Sequence, residues 1–184
     1  GKTFWGQWLV VWLKELGLTK TEISYYAKDA TLTSRAADNI KGMEAAMPPY
    51  LLMREKREPA NSEVIYTGAT GNKVQFYVAN RSPAIADLLG RGMTAPILIG
   101  DEFAYCPNND ITIGVVLSAA QAARELSKRK GEIFGTVFLT TSGKRDSPEG
   151  RYAYNHVMNS AVFSEQLYDC RDMAHLRSEE RRVG

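Results

Sequence analysis

Two apolar runs constrain the fold of this chain more than any other feature. Pro96-Ile97-Leu98-Ile99-Gly100 leads into Asp101-Glu102, and Ile133-Phe134-Gly135-Thr136-Val137-Phe138-Leu139 leads into Thr140-Thr141-Ser142-Gly143. Neither run shows the apolar–polar alternation of a strand with one wet face, and turn residues close both. Such runs predict strands of a parallel sheet buried on both faces. Between them, Ile113 to Lys130 reads as a helix that stops at Gly131. Strand, helix and strand in that order define an α/β class with a mostly parallel sheet flanked by helices.

The remaining segments extend the alternation. Thr3 to Leu16 places Phe4, Trp5, Trp8, Leu9, Val11, Trp12 and Leu13 at helical recurrence, with Gly17 as the stop. Ile23 to Ala27 is a short β-prone run. Thr31 or Thr33 is expected to cap a helix through about Met47, which Pro48-Pro49 ends. Glu63 to Ala69 and Lys73 to Ala79 flank Thr70-Gly71-Asn72 and read as a hairpin. Ser82-Pro83 opens a helix closed by Gly90-Arg91-Gly92, and Ser147-Pro148-Glu149 opens another to about Cys170. Arg177 to Gly184 is charged and aperiodic, and is expected to be a disordered or non-native tail.

Composition narrows the function classes. A length of 184 residues suits one domain, and 44% hydrophobic residues suffice for a core. Lys plus Arg is 23 against 21 Asp plus Glu, a net charge of +2 that excludes a strongly basic nucleic-acid-coating protein. The two cysteines, Cys106 and Cys170, exclude a disulfide framework and a four-cysteine zinc site. No stretch approaches the ~18 apolar residues of a membrane span.

Three strand or helix ends carry chemistry. Asp101-Glu102 closes a buried strand, where open α/β sheets bind ligands; one carboxylate there can hold Mg²⁺ and a second can polarise water. An Asp-Glu pair can also merely cap the next helix. Gly1-Lys2-Thr3 matches the last three positions of the phosphate-binding pattern G-x-x-x-x-G-K-[ST] and runs directly into a helix, as that loop requires. Thr140, Thr141 and Ser142 close the next buried strand with hydroxyls able to sense a phosphate.

In this order the three elements resemble the ATPase domain of a tailed-phage terminase large subunit, a DNA-packaging motor. The resemblance covers Gly1 to Ala161 and includes the hairpin Val64 to Val78 ahead of the Asp-Glu strand. It implies a P-loop NTPase of the additional-strand type. Gly1-Lys2-Thr3 would end the Walker A motif and hold the phosphates of ATP, with Lys2 on the β- and γ-phosphates and Thr3 on Mg²⁺. Ile97 to Glu102 would be Walker B, with Asp101 in the Mg²⁺ shell and Glu102 activating water. Thr140 to Ser142 would couple phosphate loss to movement. Arg91 falls in an Arg-Gly element with no role assigned.

The resemblance further implies double-stranded DNA, a portal protein and a small terminase subunit as partners. It also implies a ring of like subunits, and action in the cytoplasm of an infected bacterium on a procapsid, without a membrane. Residues 1–176 would then be a partial ATPase domain entered inside Walker A, with the nuclease domain absent, and nucleotide binding by this stretch alone is expected to be weak. A helicase-like ATPase and an inert fold fragment are the alternatives. Gly100 is small for a Walker B position.

Other residues read as structural. Trp5, Trp8 and Trp12 share one helical face and are expected to pack against the sheet. His156 and His175 read as surface residues, and Cys106 lacks an activating neighbour. Lys128-Arg129-Lys130 and Lys144-Arg145 read as solvated ends of elements, with DNA or portal contact as the lesser alternative, and Arg54 to Glu58 reads as a solvated loop.

Overall fold

A computed structural model describes residues 1–160. The chain divides into two compact units, 1–154 and 155–184. Of the second unit the described part is 155–160, the end of a helix and the turn after it. Cys170, His175 and the 177–184 tail lie outside the described residues.

Among the described residues, five strands form one mixed sheet: β1 Glu22–Ala27, β2 Val64–Thr67, β3 Asn72–Val78, β4 Ile97–Asp101 and β5 Gly135–Leu139, in the order β2-β3-β1-β4-β5. β1 runs parallel to β3 and β4, and β4 parallel to β5; only β2 is antiparallel, as the outer arm of the expected hairpin. Among the described residues, six α-helices flank the sheet: α1 Lys2–Trp12, α2 Ala30–Ala45, α3 Pro83–Gly92, α4 Asn109–Ala119, α5 Gln121–Lys130 and α6 Pro148–Met158.

Strand alternation explains the two-sided core. Ile23, Tyr25, Ala27, Ile97 and Ile99 face one side and pack with Val10 and Val11 of α1 and Ala36, Ala37 and Ile40 of α2. Tyr26 and Leu98 face the other side, against Met93, Phe103, Ile113 and Val116. Every residue of β4 is buried, as its continuous apolar run predicts. Gly100 now has a reason. An added Cβ would lie 2.8 Å from the ring of its register partner Phe138, which stacks on Phe103 at 3.9 Å between centroids. The small residue gives the stack its space.

Several expectations need correction. β5 is an edge strand, buried only at Leu139, and Ile133 and Phe134 precede it as exposed residues. The span expected as one helix from Ile113 begins earlier, at Asn109, and breaks into α4 and α5 at Ala120. Neither Thr31 nor Thr33 caps α2; the Asp29 carboxylate does, accepting the Leu32 N–H at 2.9 Å. Ser82 precedes Pro83 without a side-chain hydrogen bond to the first turn, whereas Ser147 Oγ accepts the Gly150 N–H at 3.1 Å.

The tryptophans of α1 do not pack against the sheet: Trp5 is 55% exposed, Trp8 53% and Trp12 39%. The helix instead buries Gly6, Gln7, Val10 and Val11. Gly6 sits where any side chain would overlap Leu139, so α1 lies close on the strand ends.

Arg54 is not part of a solvated loop either. α1 ends in a π-helical turn, Leu13–Gly17, that buries Lys14 and Glu15 completely. The Lys14 ammonium contacts Glu15, lies 2.7 Å from Glu44, and donates to Thr67 Oγ1 at 2.7 Å. Arg54 reaches the other oxygen of Glu44 at 2.7 Å. Two cations thus face two carboxylates beneath the hairpin, and Asn72 completes the cluster by donating to the Lys14 and Leu18 carbonyls at 2.7 Å.

Candidate active site

α1 starts beside the carboxyl end of β4. Gly1 precedes its first turn, and the Trp5 N–H makes the first helical bond, to the Gly1 carbonyl at 3.2 Å. The helix dipole places partial positive charge at this end, where Lys2 and Thr3 stand.

The structure brings the two motifs together across 98 positions of sequence. Thr3 Oγ1 donates to Asp101 Oδ1 at 3.0 Å. Lys2 Nζ pairs with Glu102 Oε1 at 3.0 Å, with both side chains partly open to solvent. Asp101 is 1% exposed and its second oxygen accepts the Tyr25 hydroxyl at 3.1 Å. Burial, and then the Asp101 charge, push the Tyr25 phenol well above its ordinary range, so it stays a donor.

Glu102 departs from the strand in the left-handed region, at φ 52° and ψ 40°. An L-residue resists this conformation by about 1–2 kcal/mol. Asp101 Oδ1 offsets part of that cost by accepting the Glu102 N–H at 3.1 Å. The turn swings the Glu102 side chain out of the sheet toward Lys2.

Thr140 to Ser142 hold the other side of the same turn. Thr140 Oγ1 accepts the Ala104 N–H at 3.0 Å and donates to the Thr141 carbonyl at 2.8 Å. The Tyr105 hydroxyl donates to the Ser142 carbonyl at 3.0 Å and accepts from Thr141 Oγ1 at 3.5 Å. The hydroxyl segment is thus tied to the one-turn 3₁₀ helix Phe103–Tyr105 that follows Glu102, and its described bonds do not run to Lys2 or Thr3.

Cys106 is buried, and burial first, then Asp101 and Glu102, push its thiol up to about 12. It is not a nucleophile at neutral pH. Arg91 lies on the exposed face of α3, paired with Asp87 one turn away at 2.8 Å.

Sequence reasoning missed Tyr25 and Tyr105. Tyr25 stands two residues before Ala27, the register partner of Asp101, on the same strand face. Period-two alternation alone could have placed it there. Tyr105 carried no such signal, because a 3₁₀ turn follows no apolar period.

The donor set suits a hard cation. A threonine hydroxyl and a buried carboxylate 3.0 Å apart are oxygen ligands of the type Mg²⁺ takes when phosphates and water complete its shell. Among the described residues there is no group of three or more His, Cys, Asp or Glu that could hold a metal unaided. No helix among them is long and apolar enough to cross a membrane. No protein-family model matches the chain, and no curated protein matches it.

Proposed function

We propose that this chain is a P-loop ATPase domain of the terminase large-subunit type, whose ATP hydrolysis drives double-stranded DNA. The observation that carries the reading is the meeting of Lys2-Thr3 with Asp101-Glu102 at one strand end. A helix start bearing Lys and Thr beside a buried strand ending in two acids is the arrangement that phosphoryl transfer to water needs. The parallel core of the sheet and the hairpin ahead of β4 support the same reading.

Lys2 would exchange Glu102 for the β- and γ-phosphates, with the start of α1 beside it. Thr3 and Asp101 would hold Mg²⁺, which when bound neutralises charge on the phosphoryl oxygens. Tyr25 holds the buried Asp101 carboxylate in place through its hydrogen bond at 3.1 Å. Glu102, released from Lys2, would orient a water and accept its proton. Thr140 to Ser142 share hydrogen bonds with the turn that carries Glu102, so a change at that turn reaches the 140–147 loop.

The test is ATP turnover by protein that supplies a complete phosphate-binding loop ahead of Lys2. Glu102→Gln is expected to keep Mg-ATP binding and to lose about 10²–10⁴ in turnover, the usual contribution of a positioned base. Wild-type turnover at unchanged stability would remove Glu102 from the chemistry. DNA packaging into proheads, compared with strand separation, distinguishes a packaging motor from a helicase.

A further inference from the structure

A second feature lies beyond the nucleotide site. An open cavity of about 810 Å³ sits at the carboxyl ends of β1, β3 and β4, lined by Lys28, Arg81 and Lys144 from three different loops. None of these cations makes an ion pair with a carboxylate among the described residues. Lys28 lies 5.9 Å from the centre of the Tyr105 ring, on the cavity wall.

The backbone adds to the positive field. α2 begins just after Asp29, α3 just after Ser82, α4 just after Asn108, and α6 at Pro148. Asp29, Asn108, Ser147 and Glu149 line the cavity, as does Arg81 beside Ser82. The starts of α4 and α6 therefore border this space, where their partial charges add to three side-chain cations. Two acids, Asp29 and Glu149, oppose them, and Asp29 spends one oxygen on capping α2, leaving the three cations in excess.

The geometry points to a phosphate-binding groove that holds the backbone of duplex DNA. Its ligand chemistry is the phosphodiester oxyanion. The cations are spread over three loops around an open mouth, which suits successive phosphates of a polymer better than one small anion. The choice of DNA as the polymer rests on the function proposed above. Lys144 shares its loop with Thr140 to Ser142, and Tyr105 bonds that segment at 3.0 Å. A DNA backbone in the groove would bear on the same loop that borders the nucleotide site.

The experiment is fluorescence anisotropy of a short labelled DNA duplex with the 184-residue chain, without nucleotide, across a salt series. The variant Lys28→Gln/Arg81→Gln/Lys144→Gln is expected to flatten the log–log salt dependence by about 0.9 per cation, and to weaken binding roughly tenfold per cation at ~0.1 M salt. A control of equal charge, Arg91→Gln/Arg129→Gln/Lys130→Gln, is expected to bind like wild type. Equal losses in both variants, or no loss in the first, overturn the groove. So does displacement of the duplex by inorganic phosphate at matched ionic strength, which would make the cavity a free-phosphate site.

Lys2→Ala is expected to leave duplex binding intact; its loss would move the DNA onto the nucleotide site and overturn the proposal. Because these measurements omit ATP, they stand or fall separately from the Glu102→Gln turnover test.

Discussion

Lys14 offers the sharpest test of how this fold is held together. Its ammonium has 0% exposure and faces the equally buried carboxylates of Glu15 and Glu44. Lys14→Met keeps most of the side-chain volume and removes the charge. Glu44 then retains Arg54 at 2.7 Å, and Glu15 retains only the Met53 N–H at 2.6 Å and the Thr67 hydroxyl at 3.4 Å. Removing one partner of a buried pair costs about 3–5 kcal/mol, because the charge left behind stays out of water.

With a urea slope of about 2 kcal/mol per molar, the unfolding midpoint should fall by roughly 2 M. Adding Glu15→Gln to Lys14→Met should recover at least half of that loss, since the amide still accepts the Met53 N–H without stranding a charge. Arg54→Met should cost less, about 1–2 kcal/mol, because Glu44 keeps Lys14. The assay is urea unfolding followed by far-ultraviolet circular dichroism. A midpoint shift under about 0.5 M for Lys14→Met, or no recovery in the double variant, would refute the reasoning.

Other predictions concern the core and surface. Gly100→Val should force the Phe103–Phe138 stack apart and cost about 1–3 kcal/mol, seen as a lowered Tm; an unchanged Tm would mean the stack has slack. The raised Cys106 thiol sets a sign for alkaline stability. Its folded value near 12 exceeds its ordinary 9.0, so its contribution is complete below pH 9 and declines as pH climbs toward 12. The decline is at most about 1.4 kcal/mol per pH unit. Cys106→Ala should flatten the part of the slope just above pH 9, before the tyrosines titrate, and an unaltered slope would exclude the thiol. Acrylamide should quench tryptophan fluorescence of the native chain strongly, since all three tryptophans are exposed; strong protection in the native state would return them to the core.

The parts of the fold legible in the sequence were those written in apolar period. β4, the hairpin, α1 and α3 follow from residues whose burial is set by strand or helix geometry alone. The α4–α5 break was invisible because Ala119, Ala120 and Gln121 are all good helix formers, so no local signal marks it. β5 misled because an apolar run does not distinguish a central strand from an edge strand. The tryptophans misled for the opposite reason: a stripe of large apolar residues is normally core, yet α1 buries its narrow Gly6–Gln7–Val10 side. The pairing of Lys2-Thr3 with Asp101-Glu102 could be expected from their positions at element ends. Tyr25 on Asp101 and the Lys14 cluster could not, because long-range polar partners leave no local pattern.

The Phe103–Phe138 ring stack has a mechanical consequence. One ring belongs to the turn after β4, the other to β5, and Gly100 lets them close to 3.9 Å. The Thr140–Ala104 bond riveted beside it adds a second fixed point. The acidic turn and the hydroxyl strand end are thereby joined as a single stiff plate. Displacement of the turn after β4 is therefore tied to the end of β5.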